Sequence, residues 1–203
     1  FRVPGRRVTV FDQPSFHGEV VYRLAQDEIL NAYYKVYTET GYNPLWYRVW
    51  GGYVNCAYLQ RVQYRLNTPL AYVPGVGMPA EVSVPFSQSM QFTKSKDWVP
   101  VYRLRYESVH WIIDVDEGPD GEAWYRIQDS FDRIYHASAS HLRPVFVDEL
   151  NPISPDVPRS KKSIEVDIGT QILTAYEYGQ SVYSVHIATG IQPREELESD
   201  EIT

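Results

Sequence analysis

The sequence predicts an all-β protein, and three observations carry that prediction. Apolar and polar residues alternate with period two: Ile164, Val166 and Ile168 fall on one side of Glu165 and Asp167, and Tyr183, Val185 and Ile187 alternate with Ser184, His186 and Ala188. That alternation, broken by Gly169 and Gly179, predicts half-buried strands joined by tight turns. No segment sustains the 3.6-residue apolar period of an amphipathic helix. The 17 Tyr and 5 Trp residues suit strands and fill small β cores, although the same residues could also line a recognition surface.

Taken in order, the first strand is expected at Val8-Thr9-Val10, before a turn at Gln13-Pro14-Ser15. Strands at Val20 to Leu24 and Ala32 to Tyr37 follow, then a turn at Glu39 to Pro44 and a strand from Leu45 to Trp50. Gly51-Gly52 predicts a tight hairpin returning through Tyr53-Val54, because glycine takes positive φ without steric cost. Thr68 to Ala80 carries Pro69, Pro74, Gly75, Gly77 and Pro79, which predicts a linker or extended loop. Strands are then expected at Glu81 to Val84, Val99 to Arg105, Val109 to Val115 and Ala123 to Gln128. Asp114 to Glu122 fails the calcium-loop spacing, whether counted from Asp114 or Asp116, and is expected as a hairpin around Gly118-Pro119-Asp120-Gly121. Pro152, Pro155 and Pro158 stiffen a connector over 151–160, since each fixes φ and lacks a donor.

The chain contains a diverged duplication. Val21-Tyr22-Arg23-Leu24 recurs as Val101-Tyr102-Arg103-Leu104, and Trp46-Tyr47-Arg48-Val49 as Trp124-Tyr125-Arg126-Ile127. Ala57-Tyr58-Leu59-Gln60-Arg61-Val62 is echoed by Ser140-His141-Leu142-Arg143-Pro144-Val145. Tyr22 and Trp46 are 24 positions apart, Tyr102 and Trp124 are 22. Three ordered matches at kept spacing imply two copies of one structural unit.

The net charge of −7 disfavours nucleic acid, whose binding draws on Lys and Arg contacts to phosphate. No apolar run approaches the ~18 residues of a membrane span. The single cysteine, Cys56, excludes an internal disulfide and a multi-cysteine metal site. His136 and His141 have no register with further ligands, so no metal site or cofactor is expected. Cys56 reads as a small packing residue, because a reactive thiol needs an electropositive setting. The acidic run Glu195 to Glu201 reads as a solvated loop or end.

Two resemblances add to this reading. Trp46-Tyr47-Arg48-Val49, Gly52-Tyr53-Val54 and Tyr58-Leu59 resemble the recurring end of bacterial SH3-like (SH3b) domains, with Tyr53 where a Trp is usual. The second copy stands mainly on the repeat, its glycine pair being replaced by Asp129-Ser130-Phe131-Asp132. Lys161-Lys162, Ile164 to Asp167, Gln171 to Tyr176 and Ile187 to Gly190 resemble the opening of the L,D-transpeptidase (YkuD-type) catalytic domain. Together these imply two SH3-like small β-barrels, at 1–66 and 81–150, joined by a linker over 67–80. The connector over 151–160 and the first strands of a β-rich L,D-transpeptidase domain over 161–203 would follow.

The second resemblance implies acyl transfer in an extracytoplasmic, cell-envelope protein. In that family a cysteine thiolate, activated by a histidine, attacks a carbonyl of a peptidoglycan stem peptide, and an amine of another stem resolves the acyl-enzyme. The Ser-x-Gly-Cys signature that carries the nucleophile is absent from these 203 residues. The family's cysteine and histidine are expected beyond Thr203, His186 is expected as an ordinary strand residue, and the chain is expected to be inactive by itself. Its expected partners are peptidoglycan stem peptides or glycan; the alternative reading is a non-catalytic wall-binding module, with Trp46, Tyr47, Trp111 and Trp124 exposed in a groove. A pure spacer role is the remaining alternative.

Overall fold

The computed structural model describes residues 1–39 and 43–187. Thr40 to Tyr42 of the expected turn, the strand end Ala188 to Gly190 and the acidic run Glu195 to Glu201 lie outside the described residues. The fold is all-β, with three antiparallel sheets. Two compact units divide at Leu150.

The first unit, Phe1–Glu149, holds two sheets. One contains β1 (Arg7–Phe11), β2 (Val20–Ala25), β3 (Tyr34–Tyr37), β4 (Leu45–Val49) and β5 (Gly52–Asn55), in the order β2-β1-β5-β4-β3. The other contains β6 (Met78–Val82), β7 (Phe86–Thr93), β8 (Asp97–Arg105), β9 (Val109–Glu117), β10 (Ala123–Gln128), β11 (Ile134–Ser138) and β12 (Leu142–Pro144). Its order is β12-β6-β9-β10-β11-β7-β8. Reversed, its last five strands repeat the order of the first sheet. The remaining two have single-bridge counterparts, because Arg2 bridges both Ile29 and Gln60 where β6 pairs with β9 and β12.

Strand register repeats as well. Thr9 faces Arg23 and Phe11 faces Val20 across an irregularity, while Gln88 faces Arg103 and Met90 faces Pro100 across another. Arg48 pairs with Tyr53 as Arg126 pairs with His136. Asp27 and Glu107 both hold positive φ, 67° and 62°, and their N–H groups donate to Val3 O and Val82 O, each at 2.9 Å. Each copy ends in a 3-10 turn, Cys56–Tyr58 in one and Ala139–His141 in the other.

Each sheet has its own core. Val3, Val8, Val10, Leu24, Val49 and Val54 make the first; Val82, Val84, Leu104, Ile112, Tyr125 and Ile127 are central to the second. The expected linker is shorter than the sequence suggested, because Met78, Pro79 and Ala80 already belong to β6. Arg65 N–H donates to Ser83 O at 3.0 Å and Asn67 N–H to Ser140 O at 2.8 Å, so the segment before it runs along the second copy. The Gly51-Gly52 expectation also needs correction. Gly51 alone has positive φ, 73°, and Gly52 is already paired with Val49. Gly52 is needed for proximity: a Cβ there would collide with the Phe11 carbonyl oxygen.

An ion-pair network links the copies. Arg2 and Asp27, both buried, are joined at 2.6 Å, and Arg103 reaches the other Asp27 oxygen at 2.8 Å. Burial pushes the Asp27 carboxyl up, but the hydrogen bonds and charges of Arg103 and Arg2 together outweigh it and hold it below the ordinary carboxylate value.

In the second unit, β13 (Lys162–Asp167), β14 (Ile172–Glu177) and β15 (Gln180–His186) form a meander. Asp167 Oδ1 accepts from the Gly169 and Thr170 N–H groups at 2.8 and 3.1 Å. Tyr178 and Gly179 both take positive φ and close a two-residue hairpin between Glu177 and Gln180, the geometry that matches strand twist. β14 is half-buried throughout, but β13 and β15 are more exposed than their alternation predicted. Ile164 is 71% exposed, and Val166, Val182 and Tyr183 are exposed too. A sheet face is buried only by a second layer, and the described residues of this unit form a single sheet and no second layer of their own.

Candidate functional site

The duplication places a cleft at the same position in each copy. In the second copy, β10 brings Trp124, β7 brings Ser87 and Gln88, the end of β11 brings Ser138, and the 3-10 turn brings Ser140 and His141. The β9–β10 hairpin adds Asp120 and Glu122, enclosing about 480 Å³. In the first copy the corresponding space is divided. A cleft of about 300 Å³ lies between Pro14 to His17, Thr38, Asn43 and Trp46. An adjoining one of about 150 Å³ is lined by Arg7, Val8, Thr9, Phe11, Phe16, Asn55 and Tyr58. The repeat register pairs Trp46 with Trp124, Val8 with Ser87, Thr9 with Gln88, Asn55 with Ser138 and Tyr58 with His141.

The two clefts differ in chemistry. The first is aromatic: Phe16 lies 4.8 Å from Trp46 and 6.2 Å from Tyr58, and Phe11 lies 6.1 Å from Trp46. Phe16 is held in the β1–β2 loop, where Asp12 Oδ1 accepts from Glu19 N–H at 2.8 Å and Gly18 N–H donates to Ser15 O at 3.1 Å. The second has hydrogen-bonding side chains and two carboxylates around Trp124. Ser87 Oγ and His141 Nδ1 share a hydrogen bond of 2.9 Å. Burial holds the His141 imidazole below its ordinary value, and the Asp120 carboxylate opposes that in part. Trp124 Nε1 donates to Asp120 Oδ1 at 2.8 Å. A Cβ at Gly118 would collide with the Trp124 indole, so that glycine leaves the room in which the ring sits.

The four expected binding aromatics fare differently. Trp46 and Trp124 are not exposed: they are 2% and 7% accessible and form cleft walls rather than projecting rings, because Phe11 and Phe16 cover one and Trp98 and Gly118 lie against the other. Tyr47 is half-buried, packs on the first core and lies 4.6 Å from Phe1. Trp111 is exposed, at 47%, and lies against Gly77, where a Cβ would strike its indole nitrogen. The structure therefore brings Trp46 and Trp124 to equivalent clefts and leaves Tyr47 and Trp111 outside them. Sequence reading missed Phe11, Phe16, Tyr58, Ser87, Asp120 and Glu122. The third repeat match, which sets Tyr58 against His141, was the signal that could have found the cleft.

Cys56 opens the first 3-10 turn and donates its thiol to Asn43 Oδ1 at 3.3 Å. An amide oxygen cannot take a proton as an imidazole would. His186 stands exposed on β15. His136 pairs with Asp116 Oδ2 at 2.8 Å, beside Arg126. No group of three or more His, Cys, Asp or Glu able to hold a metal ion occurs among the described residues, and none of their helices is long and apolar enough to cross a membrane. Comparison with protein-family models and with curated proteins yields no match.

Proposed function

We propose that this chain is the peptidoglycan-engaging, non-catalytic portion of a cell-envelope protein of the L,D-transpeptidase type. Its two SH3-like copies hold wall peptide or glycan in their paired clefts. The observation that carries this reading is the repetition of a tryptophan-walled cleft at one position of a duplicated fold. A copy that served only as a spacer would need a packed core and not a cleft kept through so much divergence. The resemblance of Lys161 to Gly190 to the start of the transferase domain supports the envelope setting, and the meander of β13, β14 and β15 is compatible with it.

In this reading the chain contributes affinity and placement while the acyl chemistry belongs to the parent. Retention on the wall raises the local concentration of stem peptide at a tethered catalytic domain. By itself the chain turns over no stem tetrapeptide, because its one thiol faces the Asn43 amide. Co-sedimentation with insoluble peptidoglycan tests the binding half. The folded chain is expected in the pellet, and Phe16→Ala, which removes an exposed ring of the first cleft, is expected to reduce the bound fraction severalfold. A folded chain that stays wholly in the supernatant would overturn the reading.

A further inference from the structure

The divergence between the two clefts carries an inference that rests on, and deepens, the wall-binding reading. Where the first copy has Val8 and Tyr58, the second has Ser87 and His141, and the Phe16-bearing loop has no counterpart in the lining of the second cleft. In their place stand two carboxylates, Asp120 and Glu122, and no Lys or Arg lines the cleft. With its imidazole neutral near pH 7, the lining carries two negative charges and no positive one. Asp120 is held in place: its Oδ1 accepts from Trp124 Nε1 at 2.8 Å and from Glu122 N–H at 3.2 Å. Its Oδ2 makes no hydrogen bond to another described residue, nor does either Glu122 carboxylate oxygen. At about 480 Å³ the space is far larger than a lone cation needs and falls within the range that holds small organic ligands. Gln88, Ser138 and Ser140 supply donors and acceptors suited to amides.

We infer that the second cleft takes the free ammonium group of a short peptide, seated against the Asp120 and Glu122 carboxylates with its amide backbone along Gln88 and the two serines. The first cleft, lined by rings and Arg7 and by no carboxylate, takes a portion without an ammonium group. The duplicated unit is then a two-part reader of one polymer, each copy selecting a different chemical group.

The test uses the whole chain labelled with ¹⁵N, observing the Trp124 indole N–H, which donates to Asp120 and is assigned by its absence in Trp124→Phe. The probes are a lysine-containing tripeptide whose α-amino group is acetylated, leaving Nε as its one ammonium, its Nε-acetyl form and its Nε,Nε-dimethyl form. The free and dimethylated peptides, both cationic, are expected to shift that resonance saturably with similar Kd. The acetylated peptide is expected to bind at least tenfold more weakly. Glu122→Gln, which leaves the Trp124–Asp120 bond intact, is expected to weaken the cationic peptides severalfold, and Phe16→Ala to leave them unchanged. Equal affinity for the acetylated and free peptides, or no saturable shift with any of the three, would overturn the inference. If that happens while the chain still sediments with peptidoglycan, the assignment of the second cleft fails and the wall-binding reading stands. If sedimentation fails as well, both fall.

Discussion

At the residue scale, four positions bear on the clefts and their support. Gly118 is required by the Trp124 ring that rests on it, so Gly118→Ala forces the indole out or shifts the hairpin. Overpacking of that kind costs about 1–3 kcal/mol; urea unfolding should show the loss, and the Trp124 indole resonance should move. Asp27 balances the buried Arg2 guanidinium, and stranding one partner of a buried pair costs about 3–5 kcal/mol. Asp27→Ala is expected to lower the urea midpoint accordingly; an unchanged midpoint would show that Arg2 finds another anion or water. Burial lowers the imidazoles of His110 and, despite Asp120, of His141. A histidine held neutral in the fold leaves the unfolded chain binding more protons once the pH falls below about 6.5. Stability is then level above that pH and declines below it, towards the folded-state pKa values. The urea midpoint should therefore be lower at pH 5 than at pH 7.5, and His141→Gln should remove part of the difference. The Asp27 contribution acts in a separate, more acidic window: with its carboxyl held low, it is lost only as pH falls through the folded-state value.

At the element scale, the second unit carries the clearest dynamic expectation. β13 and β15 bury little of their apolar face and β14 is only half-buried, and a three-stranded sheet needs a packed face for independent stability. Amides of β14, the central strand, are expected to exchange with deuterium through low-energy local opening, orders of magnitude faster than those of β10 in the second core. Equal protection in the two strands would contradict this. What the sequence made legible follows from how each strand is buried. β1, β2, β4, β9 and β10 show apolar runs or alternation and stand close to where the sequence placed them. β7 did not, because its inward positions include Ser87 and Ser89, both buried and satisfied by His141 and by the Tyr102 carbonyl. A strand whose inner face is polar gives no hydrophobic period. β11 buries Tyr135, His136 and Ala137 in succession, so alternation fails there too. The start of β6, three residues before the expected Glu81, was hidden by Pro79, a residue that argues against a strand with neighbours on both sides. In the second copy, Asp129 replaces the glycine pair. Its Oδ1 accepts from Phe131 and Arg133 N–H at 2.8 and 3.0 Å, and the turn closes with Asp132 at positive φ.

At the scale of the whole molecule, the duplication organises the account. The repeat was visible at three points of sequence, and the structure extends it to strand order, register, irregularities and the paired positive-φ residues Asp27 and Glu107. The clefts themselves were only partly legible. Trp46 and Trp124 stood out as large aromatics, but the sequence does not say that both are covered while Phe16, Asp120 and Glu122, held on loops, complete the opening. Loops carry recognition on a rigid scaffold, and their side chains converge only after the strands have paired. Within Phe1–Glu149 the copies share the Arg2–Asp27–Arg103 network, so they offer two clefts from one compact unit rather than two separate domains. Chemical-shift mapping of the ¹⁵N-labelled chain with soluble peptidoglycan fragments measures the central claim most directly. The account predicts saturable shifts concentrated at Phe16, Trp46 and Tyr58 in one copy and at Gln88, Trp124 and His141 in the other. Shifts absent from both clefts, or gathered on surfaces such as Trp111 that lie outside them, would contradict it.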